Sequence, residues 1–196
     1  SISGTDVDDF SINSSSGALS FISSPNYESP TDSDSNNSYV VVVTVTDNTS
    51  LTDTQTLTIT VTDENEAPVI TSNGGGSSAG ISYSENGTST VTTVTSTDVD
   101  ASSTSTYSIS GTDVDDFSIN SSSGALSFIS SPNYESPTDS DSNNSYVVVV
   151  TVTDNTSLTD TQTLTITVTD VNEAPVITSN SGGDTASSGY NENGTS

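Results

Sequence analysis

Residues 1–63 return unchanged as residues 108–170, so the chain has to fold as copies of one unit with a period of 107 residues. A unit of that length is far longer than a solenoid repeat and matches a small autonomous domain. It can bury roughly two-thirds of the surface its unfolded chain exposes. Past the identical stretch, substitutions gather where Gly74–Gly80 faces Ser181–Ser187. On this period, residues 1–67 are the C-terminal part of one repeat, 68–174 a complete repeat, and 175–196 the start of a third.

Inside a unit, apolar residues alternate with polar ones. Leu164, Ile166 and Val168 are separated by threonines, as are Leu57, Ile59 and Val61. Period two puts such residues on one face of a strand, buried, with the threonines wet on the other. Tyr146–Val152 is apolar at nearly every position and reads as a central strand. Weaker strands are expected at Val91–Val94, Tyr107–Ile109, Phe117–Ile119 and Ala125–Phe128, with Asn, Asp, Gly, Ser and Pro clustering between them. No stretch has helical periodicity of useful length. About seven short strands per repeat predict an all-β fold, a tandem Greek-key β-sandwich. Low hydrophobicity with high net charge also marks disordered chains, but strict alternation argues against that reading.

Charge narrows the function classes. The chain carries 26 Asp and Glu and no Lys, Arg, His or Cys, for a net charge of −26. Nucleic acid and anionic membrane surfaces are excluded as partners, because both require basic side chains. Without Lys, Arg or His, no side-chain salt bridge can form, so the carboxylates must repel each other in water or meet external cations. No thiolate metal site or disulfide is available. Nucleophilic hydrolases need a base that this chain lacks. Paired carboxylates can hydrolyse glycosides, yet here the acids recur identically in each unit rather than marking one cleft. An enzyme is not expected.

The acids fall at set places along the repeat. Glu85-Asn86 opens a unit, with Glu192 as its later copy. Asp98-Val99-Asp100 follows the second strand. Asn133-Tyr134-Glu135 precedes the long valine strand, as Glu28 does in the first unit. Asp154 closes that strand, and Asp47 is its copy. The units end in Asp63-Glu64-Asn65-Glu66-Ala67-Pro68 and Asp170-Val171-Asn172-Glu173-Ala174-Pro175. Taken in this order, the set resembles the cadherin repeat. That family has Glu-Asn near the start, Asp-x-Asp after the second strand and an acidic pair before the sixth. An Asp follows the sixth strand, and the linker reads Asp-x-Asn-Asp-x-Pro. Tyr107-Ser108-Ile109 and Phe117-x-Ile119…Gly124 match it too. The likeness covers residues 68–174 and parts of the flanking units, in the manner of cadherin-like arrays of very large bacterial surface proteins.

The resemblance implies calcium bound between consecutive repeats. Carried over, the ligands at the first junction are Glu28, Asp63, Asn65 and Glu66, with Glu85, Asp98, Asp100 and Asp154 from the following unit. Glu135, Asp170, Asn172, Glu173 and Glu192 are their periodic copies, as is Asp47. Calcium takes six to eight oxygen ligands in flexible geometry, which suits such a set. Two departures are visible: Asn26 and Asn133 stand where the family has Asp, and Glu66 is one methylene longer than the usual acid. Each removes or displaces a ligand. The implied role is an extracellular structural or adhesive rod or fibre, with calcium and neighbouring repeats or copies of itself as partners. A carbohydrate- or protein-binding sandwich module of a surface protein is the alternative.

Three further motifs are read blandly. Asp113-Val114-Asp115-Asp116 is taken as a solvated turn. Asp139-Ser140-Asp141-Ser142-Asn143 opens like a calcium loop, but Asn144 and Val150 stand where Gly and Glu are required; an accessory ion remains its alternative. Asn86-Gly87-Thr88 is a glycosylation sequon by pattern and a turn by composition. Because residue 1 falls within the third strand of a unit, the expectation is a window on a continuous array. Strand addition between separate subunits is the alternative.

Overall fold

The computed structural model describes residues 1–179, 183–185, 187, 189 and 192. In the first unit these give β1 (Ile2–Ser3), β2 (Phe10–Ile12), β3 (Leu19–Phe21), β4 (Ser38–Thr46) and β5 (Thr52–Thr60). The second unit begins with β6 (Val69–Ile70), β7 (Ser78–Ser84), β8 (Thr92–Thr93) and β9 (Ser96–Thr97). It continues with β10 (Thr106–Ser110), β11 (Phe117–Ile119), β12 (Ala125–Phe128), β13 (Ser145–Thr153) and β14 (Thr159–Thr169). Single 3₁₀ turns at Val7–Asp9 and Val114–Asp116 precede β2 and β11. The description is all-β, as the alternation predicted. None of the described helices is long and apolar enough to cross a membrane.

The second unit is a two-sheet sandwich. One sheet runs β10-β13-β14-β7; the other side carries β11-β12-β8 and the pair β6-β9. The first strand is split, β6 pairing antiparallel with β9, and β7 parallel with β14. The crossing between sheets occurs at Asn73–Gly76, and a buried glutamine pins it. Gln162 Nε2 donates to the carbonyls of Ser72 (3.3 Å) and Gly76 (3.1 Å), and Asn73 Nδ2 donates back to Gln162 Oε1 at 3.1 Å. The other ladders follow the sequence closely. β13 lies between β10 and β14, a central strand as expected, although Val147 and Val149 are only half-buried.

Alternation decides the core. Leu164, Ile166, Val148, Val150 and Val152 are inaccessible to solvent, while Thr165 is half-buried and Thr167 exposed. Phe117 and Phe128 each meet Tyr146 edge to face and are tilted against one another, and Phe128 also packs on Tyr83, with ring centroids 4.4–6.0 Å apart. Pairs of this kind add about 0.5–1.5 kcal/mol beyond area burial. Gly124 has φ +71°, and a Cβ there would lie 2.0 Å from the Val94 carbonyl oxygen, so the close approach of β12 to the chain after β8 requires glycine. In the first unit, β1–β5 repeat the pairing of β10–β14, and Tyr39 and Val41 are fully buried.

Candidate metal centre

Strand ends deliver the acids to two places. At the first boundary, carboxylate oxygens of Glu28, Asp63, Glu66 and Asp100 all lie within 4.8 Å of one another. At the second, Glu85, Glu135, Asp170 and Glu173 do the same. Glu28, Asp63 and Glu66 are the 107-residue counterparts of Glu135, Asp170 and Glu173. Each boundary therefore repeats a triad and adds a different fourth carboxylate.

The linker at the first boundary is tied to the second unit. Asn65 Nδ2 donates to Asp154 Oδ2 at 2.7 Å, and Glu66 N to Asp100 Oδ2 at 3.0 Å. Asp98, just past β9, accepts from Ser103 Oγ and from Asp100 N. Those two bonds hold its carboxyl below the ordinary range. Asp154 is lowered as well, since bonds from Asn65, Leu158 and Thr156 outweigh its burial. An open depression of about 300 Å³ lies beside them, lined by Tyr27, Asp63, Asn65, Asp100, Ser103 and Asn155.

Other acids in the groupings are poorly satisfied. Glu66 is pushed up by desolvation and by the charges of Glu28, Asp100 and Asp63. Glu135 has a backbone hydrogen bond that favours its charged form, yet desolvation and the charges of Glu85, Glu173 and Asp170 raise it overall. Glu28 Oε1 is shielded from water and has no hydrogen-bond partner. A shielded carboxylate oxygen without a donor, among three more carboxylates and in a chain without basic side chains, fits a hard cation. The donor set is all oxygen, as calcium requires.

Glu85 departs from the sequence expectation. The resemblance implies the first junction, but the structure puts it at the second, at the base of its own unit. The reason is the parallel pairing of β7 with β14, which brings both strands out at the same end. Glu85 N donates to Thr169 O, and its carboxylate accepts from Tyr134 N at 2.8 Å and Val171 N at 2.7 Å. Those two backbone bonds lower it. The remaining expected ligands stand apart from the groupings. Asp47 folds onto its own turn, accepting from Leu51 N and from Thr49. Asn172 donates to the Glu173 carbonyl, and Glu192 is exposed. Asn26 and Asn133, where the family has Asp, cap turns by accepting from Ser29 N and Ser136 N.

One of the bland readings is corrected too. Asp113 is no solvated turn: it is 4% exposed and accepts from Ser140 N (2.8 Å) and Val147 N (2.7 Å). Asp139 is 3% exposed, its two oxygens taken by Asn143 N and Asn144 N. Both acids organise loops. Neither signal was visible in sequence, because an Asp that caps a distant backbone looks like any loop Asp.

Comparison with known proteins agrees with this geometry. The family model for the cadherin domain matches residues 80–169, the span from within β7 to the end of β14. This unit is a cadherin-like repeat. Solved structures extend the likeness in fold. The protocadherin gammaB7 EC3–6 cis-dimer structure aligns at TM-score 0.54 and 24% identity, covering 87% of this chain and 40% of that one. Mouse cadherin-23 EC22–24 gives 0.54 and 24%, covering 87% and 52%. Human protocadherin-24 EC1–2 gives 0.57 and 21%, covering 88% and 81%. The chain thus spans well under half of the first of these. No curated protein sequence matches. The bacterial surface-array comparison rests on the sequence resemblance alone.

Proposed function

We propose that the chain is part of an extracellular rod or fibre of tandem cadherin-like repeats, stiffened by calcium at each repeat boundary. The observation that carries this reading is the pair of four-carboxylate groupings one period apart, in a chain with no basic side chain to neutralise them. By that period the groupings are two views of one site. A complete boundary combines a Glu85 equivalent, the triad of Glu28 or Glu135, Asp63 or Asp170 and Glu66 or Glu173, and an Asp100 equivalent. Asp154 and Asn65 orient the linker beside it, and Asp98 braces the loop that carries Asp100. Bound calcium would supply positive charge there, and the residues would supply its oxygen ligands. Without the ion, the clustered charges push consecutive repeats apart across a short linker. With it, the same charges join them. The buried core lies elsewhere, so each sandwich keeps its fold in either state.

Calcium titration of the chain tests this, with small-angle scattering as the readout of shape and calorimetry as the readout of binding. Wild type is expected to straighten and to gain melting temperature with calcium. The Glu66→Gln, Asp100→Asn double variant is expected to lose most of both responses at the first boundary while its sandwich stays folded. Equal calcium shifts in the two proteins would sink the assignment.

A further inference from the structure

Two asparagines in the described structure precede glycine, and the fold treats them in opposite ways. Asn73 is clamped at both ends of its amide. Its Nδ2 donates to Gln162 Oε1 at 3.1 Å, and its Oδ1 accepts from Thr92 Oγ1 at 2.9 Å. Asn86 is exposed, with φ +59°. Its one side-chain hydrogen bond among the described residues runs from Nδ2 to Glu173 Oε1, 3.0 Å. Gly87 follows it, where a Cβ would meet the Tyr83 ring at 2.8–2.9 Å, and that ring is held by its hydroxyl donating to Ser89 O. The fold thus favours a successor with no side chain to shield its nitrogen. No described group accepts from the Gly87 N–H.

We infer that Asn86 is a site of spontaneous hydrolysis, converted to Asp and isoAsp, and that the product adds a fifth carboxylate to Glu85, Glu135, Asp170 and Glu173. The Gly87 backbone nitrogen attacks Asn86 Cγ. A bond forms from that nitrogen to Cγ, the Cγ–Nδ2 bond breaks, and ammonia leaves carrying the amide proton. Water then opens the cyclic imide at either carbonyl. One water is consumed, one ammonia is released, and nothing is oxidised or reduced. The change replaces an N–H that now donates to Glu173 with an anion beside it. It therefore strengthens the demand for a cation at the second boundary as the protein ages. Asn193-Gly194 repeats the dipeptide one period later. Hydrolysis itself stands apart from the calcium reading; the effect on cation binding rests on it.

The test incubates the full chain at mildly alkaline pH and follows mass after chymotryptic cleavage. Cutting after Tyr83 and Tyr107 leaves Asn86 as the only asparagine of its fragment. That fragment is expected to gain the mass of an NH₂-to-OH exchange, split between Asp and isoAsp, before Asn73 has measurably changed; Asn86→Gln is expected to stay unmodified. Conversion of Asn73 at the same rate, or an intact Asn86 after a free peptide of the same sequence has converted, overturns the site. Asn86→Asp is expected to bind calcium several-fold more tightly than wild type. Equal binding by the two overturns the added-ligand step. Failure of both to bind calcium overturns the calcium reading with that step, and leaves hydrolysis to be decided by mass alone.

Discussion

Removing the Asp113 carboxylate tests the fold where sequence reasoning misjudged it. Asp113 sits 4% exposed after β10 and receives two backbone N–H groups, from Ser140 at 2.8 Å and Val147 at 2.7 Å. Hydrogen bonds to a charged acceptor contribute about 1.5–3 kcal/mol each, and a buried N–H left without a partner costs a similar amount. Two such bonds set the loss for Asp113→Ala at about 3–6 kcal/mol, against a total of about 5–15 kcal/mol for a domain of this size. Asp113→Asn keeps one acceptor but turns an amide donor toward a donor, so its loss should be smaller and still above 1 kcal/mol. The pH dependence has a definite sign. Burial raises the Asp113 pKa, the bonds from Val147 and Ser140 lower it, and the bonds win, so its folded pKa lies below its unfolded one. The contribution is complete above the unfolded value and disappears as pH falls through the folded value. Urea unfolding followed by tyrosine fluorescence at pH 7 and again in acid reads both effects. A loss under about 1 kcal/mol for Asp113→Ala at pH 7 would return the residue to the solvated turns and refute the argument.

Ile166→Ala should cost about 2–5 kcal/mol by cavity formation and Thr165→Ala much less, because the two side chains point to opposite faces of β14; equal losses in urea melts would contradict the sandwich. Gly124→Ala should destabilise by about 1–3 kcal/mol, since its Cβ would overlap the Val94 carbonyl. Gly17→Ala, at the same sequence position in the first unit, meets nothing within 4 Å and should lose only what its φ of +75° imposes. Glu66 and Glu135 have raised folded pKa values, so without calcium the boundaries should gain stability as pH falls from neutral through those values. Carboxyl NMR titration, with and without calcium, should show both midpoints dropping when the ion is added.

Much of this was legible because strand pattern is a local property. β14 was placed from its alternation with threonine, β13 from its continuous apolar run, and the short strands β11 and β12 from brief apolar patterns between turn residues; the inward residues of β14 followed from parity. The first strand was not legible. β7 holds only Ala79, Ile81 and Tyr83 on its inward face and has Gly80 within it, so its pattern is weak, and its partner is over 80 residues away. Missing that parallel pairing is what sent Glu85 to the wrong boundary. Gln162 and Asp113 were missed for a related reason. A polar residue is recognised as buried only through the groups that satisfy it, and here those lie 27–90 residues distant in sequence.

A chain with no basic side chain has two ways to hold a crowded carboxylate: surround it with N–H donors or leave it for an external cation. The structure sorts its acids along this line. Asp6, Asp113, Glu85 and Asp154 are buried, each accepts two or more backbone N–H groups, and each is held below its ordinary pKa. Asp34 and Asp141 are raised, but mainly by one neighbour each, Asp32 and Asp139, rather than by a crowd of carboxylates. Glu66 and Glu135 face three other carboxylates each, and Glu28 Oε1 has no donor at all. Among the described residues, the acids that face several carboxylates at once thus lie at the repeat boundaries. On the proposed reading, a cation bound there would act on the angle between repeats and leave the cores untouched, the separation a segmented rod needs.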